Sequence, residues 1–243
     1  MRAIGSFLFL VISRGVMIFN LFWMWIVLPF GWRYILVIIR AWTQMTRVLL
    51  RVLCGLSDRF DGVEKIPDGP VIIAVKHQSE WETFIIHLIR KDPSFVLKKE
   101  LTDIPMWGFY ARKTGNISVD RDAGTKALKD MTIQAKAAVK AGRSIIIFPE
   151  GTRLPVGQKG TYHPGVASLY KTLGIPVVPV ALNSGLFWPT HTYLKRPGTI
   201  VLEVQDPILP GLDRQAFMTQ LEESIETASQ RLIDDARTID PTL

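Results

Sequence analysis

His77 and Glu82 lie five residues apart in the run Lys76-His77-Gln78-Ser79-Glu80-Trp81-Glu82-Thr83, which places a proton acceptor within reach of a carboxylate. A carboxylate one helical turn beyond an imidazole can fix its tautomer and stabilise the imidazolium formed as it takes a proton. The pair therefore has the makings of a general base with its orienter. Ser79-x-x-Glu82 also matches a helix capping box, so the residues alone leave a structural use of Glu82 open beside the chemical one. A metal site does not fit. The next histidine, His87, stands ten residues on, whereas two ligands on one helical face need a spacing of about four.

A second cluster is Phe148-Pro149-Glu150-Gly151-Thr152-Arg153, after the apolar run Ser144-Ile145-Ile146-Ile147. Gly151 lets the backbone come close to a ligand, while Thr152 and Arg153 offer a hydroxyl and a planar fork suited to phosphate oxygens. A third segment, Gly115-Asn116-Ile117-Ser118-Val119-Asp120-Arg121, ends a short β-like run with an arginine. Taken alone, that arginine would be read as half of a solvated pair with Asp120.

The three segments together resemble the glycerolipid acyltransferases, most closely the bacterial 1-acyl-sn-glycerol-3-phosphate acyltransferases. That family carries, in order, H-x-x-x-x-D, G-x-x-F-x-x-R, F-P-E-G-T-R and a strand ending in V-P-V. This chain offers His77 to Glu82, Gly115 to Arg121, Phe148 to Arg153 and Ile175 to Ala181, and the resemblance spans about residues 60 to 205. It departs at Glu82, where most of the family has aspartate, and at Ser118, where an aromatic is usual. His163 stands where many relatives carry a lysine, with Lys159 as the nearest substitute charge.

What the resemblance implies is an α/β fold with a mixed sheet flanked by helices, and direct acyl transfer. His77 would take the proton from the free sn-2 hydroxyl of lysophosphatidic acid as that oxygen attacks an acyl thioester, with Glu82 orienting His77. The product is phosphatidic acid, for phospholipid biosynthesis. The donor is a thioester of acyl-carrier protein or coenzyme A, with no cofactor, no metal and no acyl-enzyme expected. Arg121 and Arg153, with the backbone around Gly151 and Thr152, would hold the acceptor phosphate. Glu150 suits organising those donors better than serving as a second base, because a carboxylate facing a phosphate would repel it. Ile104 to Tyr110 is the candidate path for the acyl chain, its alternative being an ordinary core helix. Another lysolipid as acceptor, a non-catalytic lipid-binding relative, and a hydrolase using His77 and Glu82 on water remain open.

The elements that must position these residues follow from pattern. At 243 residues one good-sized core can form, and we expect a membrane-associated helical hairpin over residues 1–57 and a catalytic domain over 58–243. Strands are expected at Val71 to Val75, Phe95 to Lys98, Ile117 to Val119, Ser144 to Phe148, Val177 to Leu182 and Thr199 to Val204. Helices are expected at Thr83 to Ile89, Ala123 to Lys140, Val166 to Leu173 and Arg214 to Asp235. His77 then falls where a buried strand gives way to a helix, the place where open α/β sheets put their sites. The single cysteine, Cys54, excludes an internal disulfide framework and reads as packing.

Charge is unevenly spread. Of 29 lysines and arginines, six arginines precede Asp58 with no acidic residue or lysine among them, leaving 23 basic against 22 acidic side chains beyond. Basicity thus belongs to the most apolar part of the chain, which suits anionic phospholipid rather than nucleic acid. Pro29-Phe30-Gly31 divides this part into helices over about Ile4 to Leu28 and Trp32 to Leu56. In the second, Arg33, Arg40, Gln44, Arg47 and Arg51 share one stripe at about 100° per residue, with Trp42 opposite. A vertical hairpin would draw Arg14, Arg40 and Arg47 into hydrocarbon at roughly 2.5–3.5 kcal/mol each. An anchor lying in the interface of a bacterial inner (cytoplasmic) membrane, catalytic domain toward the cytoplasm, is therefore the expectation; the alternative for the stripe is a solvated face whose opposite side covers the globular domain.

Overall fold

The structure is a computed structural model that describes residues 2–243; Met1, assigned above to the N-terminal segment, lies outside the described residues. Helices α1 (Arg2–Val27) and α2 (Trp32–Cys54) come first, followed by β1 (Leu56–Asp61), β2 (Ile72–Val75), α3 (Trp81–Ile89) and β3 (Pro93–Lys98). Next come α4 (Lys99–Thr102), α5 (Trp107–Lys113), β4 (Ile117–Val119), α6 (Thr125–Lys140) and β5 (Ser144–Ile147). The chain then forms α7 (Gly165–Leu173), β6 (Val177–Leu182), α8 (Ser184–Phe187), β7 (Gly198–Val204) and α9 (Arg214–Ile239).

The strands build one sheet in the order β1-β7-β6-β2-β5-β3-β4. All pairs are parallel except β6 with β7, so the sheet is mixed as expected. Strands β2, β5 and β6 are buried at every position, which is why their sequences are unbroken apolar runs rather than alternating ones. Alternate residues serve two cores. Ile73 and Val75 join Phe84 and Ile85 of α3 and Leu50 of α2 on one face. Ile72 and Ala74 join Met131 of α6, Leu169 of α7 and Phe217 of α9 on the other.

Two expectations are corrected near the hairpin. The second helix stops at Cys54, because Gly55 takes a left-handed conformation (φ 64°) and its N–H bonds the Arg51 carbonyl at 3.2 Å. The residues that follow form β1, an edge strand paired parallel with β7 and missed because Ser57-Asp58-Arg59 is polar. A division between residues 57 and 58 falls inside that strand. Phe9 of α1 and Leu50 of α2 belong to the same buried core as Val75, so the hairpin packs on the sheet.

At the edge of the sheet opposite the motif loops, Arg143 ties three strands together. Its guanidinium donates to Asp92 at 2.9 Å and to the carbonyls of Gly115 (3.0 Å), Pro93 (2.9 Å) and Thr114 (2.7 Å), and it lies over the Trp32 ring. Gly115 (φ 69°) is needed here because a Cβ would collide with this guanidinium. Arg143→Ala leaves a cluster of oxygens without donors, and we predict a loss of about 3 kcal/mol in chemical denaturation. Arg143→Lys should recover less than half, since a point charge cannot serve the fork.

Candidate active site

Strands β2 and β5 are parallel neighbours, so the residues that follow them leave from the same edge of the sheet. One strand delivers Lys76-His77, the other Phe148-Pro149-Glu150. The two loops are tied together: Leu154 N–H donates to the His77 carbonyl at 3.0 Å, and the Phe148 ring stacks on the His77 imidazole with centroids 4.1 Å apart. Stacking below and bonding behind leave the imidazole few orientations.

His77 Nδ1 lies 3.0 Å from Glu82 Oε1. With Nδ1 donating to that carboxylate, Nε2 carries the lone pair, as a general base requires. The Glu82 side chain is fully buried while that of His77 keeps 13 % of its exposure, so the ring shields the carboxylate and meets the substrate side itself. Oε1 also accepts the N–H groups of Gln78 and Ser79, both at 2.6 Å, and Oε2 accepts the hydroxyls of Ser79 (2.7 Å) and Ser184 (2.9 Å). Ser79 Oγ in turn accepts Trp81 N–H at 3.0 Å. The capping contact and the imidazole contact are thus made by one carboxylate. Burial pushes its pKa up, but the hydrogen bond and charge of His77 and the donors of Ser79 outweigh it and hold the group below its ordinary 4.5.

A buried ionic group beside the pair was not anticipated. Lys76 Nζ donates to Glu150 Oε1 at 2.6 Å and to Glu226 Oε1 at 2.8 Å, and Glu150 Oε2 accepts His77 N–H at 3.1 Å. Tyr162 hydroxyl donates to Glu226 Oε1 at 2.9 Å. Burial, then the Glu226 charge, raises the phenol's pKa and keeps that donor protonated. Lys76 was legible as a lysine closing a buried strand, whereas Glu226 sits on α9 and nothing local marks it. Glu150 organises Lys76 and the His77 backbone, rather than the arginines expected to depend on it.

The phosphate-binding candidates divide. Arg121 comes down on Gly151 (φ 65°), where an added Cβ would stand 2.5 Å from the guanidinium, so the second and third motifs meet. Thr152 is exposed on the same turn. Arg153 instead pairs with Glu80, Nη1 to Oε1 at 3.3 Å. Lys159 is held by Glu222 at 2.6 Å, and His163 is exposed, its N–H bonded to the Pro149 carbonyl, so Lys76 is the cation adjoining His77 in sequence. The segment Ile104 to Tyr110 packs against the hairpin, with Tyr110 hydroxyl on the Leu21 carbonyl at 2.8 Å and Phe109 stacked on Trp25.

The acyltransferase family model matches residues 59–183. The 1-acyl-sn-glycerol-3-phosphate acyltransferase of Pseudomonas aeruginosa is 40 % identical over 174 residues, which are 72 % of this chain and 67 % of that protein. The Haemophilus influenzae protein of the same name is 32 % identical over 143 residues, 54 % of this chain and 55 % of that one. A crystal structure of the 1-acyl-sn-glycerophosphate (LPA) acyltransferase PlsC from Thermotoga maritima matches with a TM-score of 0.78 at 24 % identity, covering 96 % of this chain and 98 % of that one. That likeness shows the fold.

Because Glu82 titrates lower folded than unfolded, its charge stabilises the fold above its ordinary 4.5, and the contribution is lost as pH falls through the folded value. Glu82→Gln can keep the backbone donors on its oxygen and meet the two hydroxyls with its amide. We predict a folded variant whose deficit in melting temperature is constant above about pH 5 and shrinks on acidification below 4.5.

Proposed function

The chain belongs to the acyltransferase family, and from that membership we propose that it moves a fatty acyl group from a thioester to the sn-2 hydroxyl of 1-acyl-sn-glycerol 3-phosphate, giving phosphatidic acid. The observation that carries this reading is the 3.0 Å contact of His77 Nδ1 with a fully buried carboxylate, beside the F-P-E-G-T-R turn. His77 Nε2 takes the proton as the acceptor oxygen attacks the thioester carbonyl, and the Glu82 charge stabilises the imidazolium. The leaving thiolate then recovers that proton. Direct transfer is supported by the nearby hydroxyls: Ser79 and Ser184 both donate to Glu82, which leaves them tied as orienters rather than free as nucleophiles. Arg121 and Arg153 with the turn at Gly151 and Thr152 are the acceptor-phosphate candidates, and the donor is a thioester of acyl-carrier protein or coenzyme A.

For the membrane, α1 is long and apolar enough to cross a bilayer by length and composition, and Phe7, Val11, Ile18, Phe19, Phe22 and Ile26 face outward. The arginine stripe of α2 does not act as one. Arg47 forks onto Asp58 at 2.7 and 2.5 Å and Arg40 donates to the His87 carbonyl at 3.3 Å, while Arg33 and Arg51 point out. Trp42, opposite the stripe, packs edge-on against Phe84. We favour a hairpin lying in the interface of an anionic membrane, on the cytoplasmic face where acyl thioesters are made, because it keeps Arg14 and Arg33 among headgroups.

His77→Ala should cut transfer of labelled acyl chains to lysophosphatidic acid by about 10²–10⁴-fold while the protein stays folded. Activity near the parent's would remove His77 from the mechanism. Glu82→Gln should lose comparably, through charge rather than geometry. In sedimentation with anionic vesicles, the full chain carrying Arg33→Gln and Arg51→Gln should bind more weakly by about 1 kcal/mol per charge at low salt, and by less at high salt. Changes at Arg40 and Arg47 should act on stability instead.

A further inference from the structure

Glu80 lies on the catalytic turn between His77 and Glu82, yet its carboxylate joins none of the buried bonds around either. Two guanidinium groups from distant parts of the chain take it instead. Arg14 of α1 donates through Nη2 to Oε2 at 3.1 Å and to Oε1 at 3.4 Å, and Arg153 donates through Nη1 to Oε1 at 3.3 Å. Side-chain exposures of 50 % for Arg14, 41 % for Glu80 and 42 % for Arg153 leave both pairs open to water and individually weak. Arginines that converge on a carboxylate also fit a phosphate monoester, which presents more oxygens and about twice the charge.

The surroundings favour an anion. The Lys195 ammonium lies 4.3 Å from the Trp188 ring centroid, and although burial brings its pKa down to about 8, it remains within the fields of both Glu80 and Arg14. Arg14 itself interrupts an outward apolar face formed by Val11, Ile12 and Ile18. On a helix lying in the interface, that position is at headgroup depth, where the phosphate of a bilayer lysolipid also lies.

We propose that Arg14 and Arg153 receive the acceptor's phosphate at the membrane surface and that Glu80 is its internal stand-in, holding the two guanidinium groups until the phosphate displaces it. This rests on the acceptor being a lysophosphatidic acid. The helix that anchors the protein then also supplies part of the acceptor site. Competition from Glu80 weakens the hold on substrate and product alike, which favours return of the product to the bilayer.

The test is steady-state kinetics of the full chain in neutral-detergent mixed micelles, where vesicle binding does not limit. Arg14→Gln should raise KM for lysophosphatidic acid about threefold to tenfold with the thioester KM within about twofold of the parent's. Glu80→Gln should lower the lysophosphatidic acid KM about twofold to fivefold, a direction that damage to the fold does not produce. An unaltered acceptor KM in Arg14→Gln, a parallel rise in both KM values, or a raised acceptor KM in Glu80→Gln would overturn the proposal. If the parent itself transfers nothing to lysophosphatidic acid, the acceptor reading falls and this proposal with it; parent activity with unresponsive variants removes the proposal alone.

Discussion

Glu82 carries a charge that water does not reach, and the catalytic turn is built around keeping it there. An unpaired carboxylate in that position would simply protonate. Five donors prevent this: the His77 imidazole, the Gln78 and Ser79 N–H groups, and the hydroxyls of Ser79 and Ser184. Four of them come from the turn itself, so closing the turn and solvating the carboxylate are one event. Ser184 belongs to α8, which follows β6, so a second strand contributes to the same charge. The positive end of α3 lies at this point as well. The orientation of His77 is a consequence of solving that burial problem.

A second buried carboxylate works beside the first. Glu150 leaves β5 next to β2, and its partners are the lysine and the backbone N–H that immediately follow β2. The β2–β5 register therefore matters to the chemistry as much as to the sheet. A slip would separate Glu150 from His77 N–H and leave Lys76 with Glu226 alone. Glu226 closes the group from α9 and fastens the last helix to the catalytic turn. Two ionic networks of opposite construction, one centred on an anion and one on a cation, thus flank His77 at the end of β2.

Much of this was legible because local sequence and tertiary role coincide. The runs at β2, β5 and β6 read as buried strands since parallel pairing hides both faces, and His77 to Glu82 and Phe148 to Arg153 declare themselves within a few residues. What escaped reading is what depends on partners far along the chain. The edge strand β1 pairs with β7 alone, and its polar Asp58 is used by Arg47 of α2, a partner that local sequence does not reveal. The short helix α5 was seen as an apolar segment, but its packing on Trp25 and Leu21 was not. Gly115 was read as part of a ligand motif, whereas its conformation serves Arg143, a residue with no local signature.

The arginines before Asp58 show the same limit and explain why the hairpin is more than an anchor. Periodicity puts Arg33, Arg40, Arg47 and Arg51 on one face, and periodicity cannot say that the face straddles two environments. Where α2 runs beside the sheet, Arg47 meets Asp58 and Arg40 meets the end of α3; at either side Arg33 and Arg51 look outward. On α1 the same division holds, with Phe9 in the core and Phe7 outside. Lifting the hairpin from the domain would expose Phe9 and Leu50 and break the Arg47–Asp58 pair together, so it cannot detach cheaply as a flexible leash would. The outward apolar face of α1 is held at a fixed attitude to the edge of the sheet that carries His77. On the proposed interfacial reading, a lipid acceptor resting in that face would approach the imidazole in an orientation set by the fold, which would convert a search in three dimensions into positioning at a prepared edge.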